Sequence, residues 1–220
     1  MPRILIIGGH GKIALQLATL LTGQGTAVTA VIRNAGQSDD VAATGAQPLV
    51  LDVEQASVAD LAAAFAGHDA VVWSAGAGGG SPARTYAVDR DAAIRSMDAA
   101  AEAGIPRYIM VSYFGARTDH GVPPENSFFA YAEAKADADA YLRTTALDWT
   151  ILGPGALTDD AATGRINPAP TQDQRSTSRA NVALVAAAVL GRADAAGHTI
   201  EFTDGDLEIG EAIAQTLEGR

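Results

Sequence analysis

The strongest constraint in this chain is its opening, where four aliphatic residues, Ile4-Leu5-Ile6-Ile7, run directly into Gly8-Gly9-His10-Gly11 and then into a helical pattern from Lys12. A strand turns into a helix this abruptly where glycine supplies most of the bend. Read as Gly8-x-x-Gly11-x-x-Ala14, the small residues permit the turn, let the backbone approach a pyrophosphate and let the helix pack closely on the strand. The helix start adds unpaired N–H groups and partial positive charge, which suit phosphate. Gly8, Gly9, His10, Gly11, Lys12 and Ile13 therefore form the first candidate site, for a dinucleotide. The alternative is a tight strand-to-helix turn with no ligand.

Downstream, apolar runs of strand length alternate with segments of helical period, the pattern of a parallel sheet covered on both faces. The strand candidates are 4–8, 27–33, 48–51, 70–74, 108–112, 149–152 and 199–203; the helix candidates are 12–22, 57–65, 90–103, 131–144, 179–190 and 208–217. The expected fold class is α/β, a Rossmann-type doubly wound parallel sheet of about seven strands. With 220 residues the chain suits one such domain, 1–220, with small C-terminal substrate-facing loops. Three loops, 75–83, 114–126 and 156–177, follow strand C-termini, the edge at which open α/β sheets bind ligands. The third is long enough to favour a substrate-covering role over an ordinary connection.

Composition narrows the partners. A formal charge of -11 with no basic stripe disfavours nucleic acid, while leaving room for a small anion held by a few focused cations. No apolar run approaches the roughly 20 residues of a membrane span, and the apolar block after Met1-Pro2-Arg3 is too short for a signal peptide. The absence of cysteine fits a reducing compartment, so a cytoplasmic location is expected. His10, His68, His120 and His198 are too scattered for a metal site, and none is expected. The acidic pairs Asp39-Asp40 and Asp159-Asp160 read as solvated turns. The expected partner is a small-molecule substrate, with the protein a monomer or homodimer.

The end of the second strand distinguishes the two nicotinamide dinucleotides, since an acid there bonds the ribose of NAD and a cation pairs with the extra phosphate of NADP. Here Val31-Ile32-Arg33-Asn34 presents no acid, and Arg33 can grip a phosphate through two donors. NADP is thus expected over NAD, unless Arg33 is a solvated strand-end cation. Asp52 and Val53, after the third strand, are placed to meet the adenine ring, although Asp52 could equally cap the next turn. Ser74, Ala75 and Gly76 close the fourth strand, where they either pass beneath the cofactor or form a tight packed turn.

Taken in order, the glycine turn, Arg33 and Leu51-Asp52-Val53 are joined by Val88-Asp89-Arg90-Asp91, Ala103-Gly104-Ile105-Pro106-Arg107-Tyr108 and Met110-Val111-Ser112. Further on stand Tyr131-Ala132-Glu133-Ala134-Lys135, Leu147-Asp148-Trp149-Thr150-Ile151-Leu152, Pro154-Gly155 and Ser178-Arg179-Ala180-Asn181-Val182-Ala183. Almost end to end, the chain resembles the atypical short-chain dehydrogenase/reductases, specifically the small NAD(P)H-binding, NmrA-like group. The resemblance places Pro154 and Gly155 beside the cofactor. Two departures stand out: Gly153 replaces the arginine of the usual Arg-Pro-Gly, and Asp89 stands near where the superfamily carries a catalytic asparagine.

The resemblance also implies a catalytic set. Tyr131 and Lys135 are four apart on a predicted helix and so share a face. In the superfamily such a lysine lowers the phenol's pKa and reaches the nicotinamide ribose, while a serine in the position of Ser112 bonds the substrate oxygen. The chain has only two lysines, Lys12 and Lys135, and both fall where the fold would touch cofactor. Phe128, Phe129 and Tyr113 either line a substrate pocket or pack in the core. The expected function is an NADPH-dependent reductase of a small carbonyl or conjugated substrate. A non-catalytic NADP(H) sensor is the first alternative, and a sugar-nucleotide epimerase or dehydratase, for which the chain is short, the second.

Overall fold

A computed structural model describes residues 1–79, 81–170 and 176–219. Gly80 of the first expected loop and residues 171–175 of the third lie outside the described residues. The elements run β1 (Arg3–Ile7), α1 (Lys12–Gly23), β2 (Ala27–Ile32), α2 (Ser38–Ala43), β3 (Gln47–Val50), α3 (Val58–Phe65) and β4 (Ala70–Trp73). Then come α4 (Pro82–Thr85), a π-helical segment (Tyr86–Ala92), α5 (Ala93–Glu102), β5 (Arg107–Val111), α6 (Phe129–Thr144), β6 (Asp148–Pro154) and β7 (Ala156–Thr158). The chain closes with β8 (Arg165–Asn167), β9 (Ser176–Ser178), α7 (Arg179–Leu190), β10 (His198–Asp204), β11 (Leu207–Glu208) and α8 (Ile209–Glu218).

The main sheet has the order β11-β8-β10-β6-β5-β4-β1-β2-β3. Its seven strands from β10 to β3 are parallel and coincide with the seven sequence candidates, so the architecture is the expected Rossmann-like α/β fold. Strand direction of progress reverses around β1, which lies between β2 and β4, and this is the crevice where such sheets bind ligands. The alternation within β1 builds the two faces: Ile4 and Ile6 join the core under α1 and α7, and Leu5 and Ile7 the core under α3 and α5. Buried alanines on α5 and α6, among them Ala99, Ala100, Ala134 and Ala138, let those helices sit close to the sheet.

Four short strands go beyond the expectation. β8 and β11 extend the sheet antiparallel, and β7 pairs with β9 in a two-stranded sheet of its own. Runs of two or three residues carry no periodicity to read, and their pairing is decided by neighbours distant in sequence. The helix expected from Arg90 begins eight residues earlier, at Pro82, behind a Ser81 cap whose hydroxyl accepts from the Arg84 amide. Its π-helical segment carries Asp89, buried at 1% exposure. Such widened turns frequently occur at functional sites.

Candidate functional site

The glycine turn closes on the reversal point of the sheet. Gly8 has φ +81°, and a Cβ there would sit 2.7 Å from the Ala75 backbone. A Cβ on Gly9 would come within 2.6 Å of the Ala30 Cβ. The Gly9 amide donates to Val31 O at 2.8 Å and the Gly11 amide to Gly8 O at 2.8 Å, tying the bend to β2 and to itself. Gly11 caps α1 without a side-chain hydrogen bond, so the first-turn amides of a 12-residue helix remain available.

This turn walls a cleft of about 370 Å³ also lined by Arg33, Asp52, Val53, Ser74, Ala75 and Gly76. Gly8, Gly9, His10 and Gly11 line it as well, so ten expected cofactor residues meet in one cavity. The bare backbone of the turn, closed to any Cβ, fits a pyrophosphate. Arg33 is half-exposed in the cleft, its Nη1 3.7 Å from the Glu54 carboxylate. Glu54 also faces Arg84 at 3.4 Å, and Arg84 donates to Ala77 O at 2.7 Å. Glu54 and Arg84 had no signal in the sequence, because a strand-distant contact brings them to the cleft. Asp52 does both things open to it: it lines the cleft, and its Oδ1 accepts from the Glu54 amide at 3.1 Å.

At the cleft His10 bonds Asp40 at 2.8 Å. The remaining cofactor candidates stand elsewhere. Lys12 points to Asp159 at 2.5 Å, and Asp159 also takes Arg179 at 2.7 Å, so the acid read as a solvated turn bridges α1 to α7. The Ile13 side chain is buried in the core below α1, leaving only its amide toward the turn. Pro154 and Gly155 lie at the C-terminal end of β6, where the Gly155 amide is satisfied by Phe202 O and Thr177 Oγ1. Gly153 has a steric reason: a Cβ there would sit 3.0 Å from Glu201 Cγ and 3.3 Å from Tyr113 O. Glu201 fills the space beside β6 and accepts from the Gly115 amide at 2.8 Å.

Next along the β4 exit loop, Ala77, Gly78 and Gly79 open a second cavity of about 290 Å³ with Asp89, Ser127 and Tyr131. Tyr113, Phe128 and Tyr131 form an aromatic group with centroids 5.2 to 5.6 Å apart. Phe128, 42% exposed, is not a core residue.

Below this cavity is a buried polar cluster. Lys135, 2% exposed, donates from Nζ to Val111 O at 2.8 Å. Ser112 donates from Oγ to Asp139 Oδ2 at 2.6 Å. Asp89 Oδ2 accepts from the Ala77 amide at 2.9 Å, while Asp89 Oδ1 and Asp139 Oδ1 are buried without a hydrogen-bond partner among the described residues. Burial raises the Asp89 carboxyl above its ordinary range and pushes Asp139 up to about 6, with the Lys135 charge pulling both back. The Tyr131 phenol is likewise raised, by burial first and then by Asp89 and Asp139. This is the opposite of the lowering that the resemblance implies, because burial penalises the phenolate and the neighbouring carboxylates add to that penalty. Asp139 escaped the sequence reading, yet a signal was present: it continues the Tyr131, Lys135 spacing by another four residues on an alanine-rich helix.

A model of an NAD(P)H-binding family matches residues 8–193. Over 213 residues the chain is 32% identical to the uncharacterized sugar epimerase YhfK of Bacillus subtilis, covering 96% of this chain and 98% of that protein. Among solved structures, a candidate NAD-dependent epimerase/dehydratase of Bacillus halodurans superposes with TM-score 0.89 at 34% identity, over 98% of this chain and 100% of the other. The anaerobilin reductase ChuY of Escherichia coli O157:H7 does so with TM-score 0.76 at 27% identity, over 93% and 98%. Among the described residues, no helix is long and apolar enough to cross a membrane.

Proposed function

Because the chain belongs to this NAD(P)H-binding family, we propose that it is an NADPH-dependent reductase acting on a small carbonyl or conjugated acceptor. The observation that carries the reading is the glycine turn and Arg33 lining one cleft that leads, along a single loop, to a second cavity walled by Tyr131. The Gly8–Gly11 turn would let the pyrophosphate approach its bare backbone and the free first-turn amides of α1 would hold it, with Arg33 on the adenosine-side phosphate. When bound, the reduced nicotinamide supplies a hydride. Tyr131, kept protonated by its raised pKa, is suited to donate the proton to the acceptor oxygen. Lys135 holds the neighbouring carboxylates in check, and Ser112 meets the acceptor. The aromatic group of Tyr113, Phe128 and Tyr131 favours a planar, conjugated acceptor, and the solved relatives include a protein named as a reductase.

The epimerase names among the relatives keep a redox-neutral reading open. It is disfavoured by the small C-terminal region, where short strands leave little room for a nucleotide sugar. A non-catalytic sensor would keep the cleft and leave Tyr131 idle.

Two measurements separate these readings. Arg33→Ala is expected to weaken NADP⁺ binding about 10- to 100-fold in titration calorimetry, the worth of a charge-assisted phosphate contact, with NAD⁺ little changed. Equal weakening of both would remove the cofactor assignment. Tyr131→Phe is expected to retain NADPH affinity and lose about 10²- to 10⁴-fold in NADPH oxidation across a panel of carbonyls and quinones. No turnover in either the parent or the variant would favour the sensor.

A further inference from the structure

Ser112 has one hydroxyl proton, and that proton is directed into the protein interior. It lies on Asp139 Oδ2 at 2.6 Å, in a site where Asp139 is fully buried and Ser112 5% exposed. A hydroxyl that donates inward offers a ligand only its lone pairs. We propose that Asp139 is a positioning residue whose protonation state sets the direction of the Ser112 hydroxyl, making Ser112 an acceptor toward a substrate when Asp139 is ionised and a donor when it is protonated. In the protonated state the Asp139 O–H donates to Ser112 Oγ, and the Ser112 proton is free to reach a carbonyl oxygen. In the ionised state Ser112 accepts instead, which suits a substrate hydroxyl. The inference rests on the reading that Ser112 meets substrate, and it deepens it: carbonyl reduction is favoured on the acid side and alcohol binding on the alkaline side.

The surroundings make the switch reachable near neutrality. Lys135 and Arg143, on the helix that carries Asp139, favour the carboxylate, as does the Ser112 hydrogen bond from the end of β5. Burial opposes all three and places the midpoint at about 6. Tyr113 and Tyr131 also feel the Asp139 charge, and Asp89 feels Lys135 from the π-helical segment. The second carboxylate oxygen, Oδ1, has no partner among the described residues. In Asp139→Asn the amide oxygen would take that place and the NH2 would face Ser112, since an orphaned N–H is the rarer arrangement. The asparagine thereby mimics the protonated acid at every pH.

The direct test is a carboxyl ¹³C titration of the full chain labelled at aspartate, with Asp139 assigned by its absence in Asp139→Asn. A midpoint near 6 is expected, moving upward in Ser112→Ala, which removes a donor to the carboxylate, and restored in Ser112→Thr. A midpoint near the ordinary 3.8, or one indifferent to Ser112→Ala, overturns the proposal. Should Ser112→Ala fail to fold, the wild-type and Ser112→Thr titrations still decide the midpoint. The functional arm follows NADPH oxidation with 9,10-phenanthrenequinone as acceptor. The wild-type rate should fall several-fold as pH rises through the Asp139 midpoint, and Asp139→Asn should lose that limb and exceed wild type at pH 8. An identical limb in Asp139→Asn also overturns the proposal. Absence of turnover by both chains overturns the reductase reading alone, because the titration reads the coupling without substrate.

Discussion

Gly8→Ala is expected to destabilise the fold by about 2–5 kcal/mol, the sum of a left-handed φ imposed on an L side chain and an overpacked contact. The two terms are independent. Gly8 sits at φ +81°, and its added Cβ would meet Ala75 N and Cα at 2.7 Å and Ser74 O at 2.8 Å, all backbone atoms that cannot rotate aside. Relief requires β1 and β4 to separate at the point where the cleft is built. Dinucleotide affinity should therefore fall together with stability, by more than the stability loss alone accounts for. Urea unfolding and calorimetric titration on the same variant check both. A Gly8→Ala chain with an unchanged midpoint and unchanged NADPH affinity would show that the tight approach of the turn to β4 is not what shapes the site.

The second large effect is expected at Lys135. Replacing it by methionine keeps the volume and removes the cation, leaving Asp89 and Asp139 buried without their shared counter-charge. Breaking a buried charge arrangement from one side costs about 3–5 kcal/mol, so Lys135→Met should unfold at clearly lower denaturant at pH 7.5. The pH dependence has a definite sign. Asp139 is raised from 3.8 to about 6 in the fold, so the stability it contributes is present below its unfolded value and is lost as pH rises through the folded one. Without Lys135 both folded carboxyl values climb further, and the deficit against wild type should be greatest above pH 6 and shrink toward pH 5, as the acids take up protons. Adding Asp139→Asn to Lys135→Met should recover part of the loss. A Lys135→Met chain as stable as wild type at pH 7.5 would mean that Lys135 serves only ligands, whatever its burial.

These two positions also show how far the residues could be read without coordinates. Gly8 was legible because a strand, a bend and a helix within a dozen residues leave one steric solution. Arg33, Asp52 and the 74–76 turn were legible because parallel strands deliver their C-termini to one edge. The Tyr131–Lys135 spacing is legible along the helix, whereas the turn of the amine to Val111 O and the raised phenol are not. Hydrogen-bond direction and burial arise from what packs above and below a helix, and neither leaves a mark in the spacing along it. Glu54, Arg84 and Asp159 were invisible for the same reason, each meeting partners 20 to 147 positions away.

By itself, the amino-acid order determined the seven parallel strands, the helices that cover them and the bare-backbone turn at their reversal point, because periodicity and the stereochemistry of glycine are local. Only the tertiary structure decided that Asp139 lies against Ser112, that two carboxylates share one lysine, and that Glu201 fills the space beside Gly153. Charge balance in a buried site depends on distances between segments, and those exist only once the sheet has closed its core.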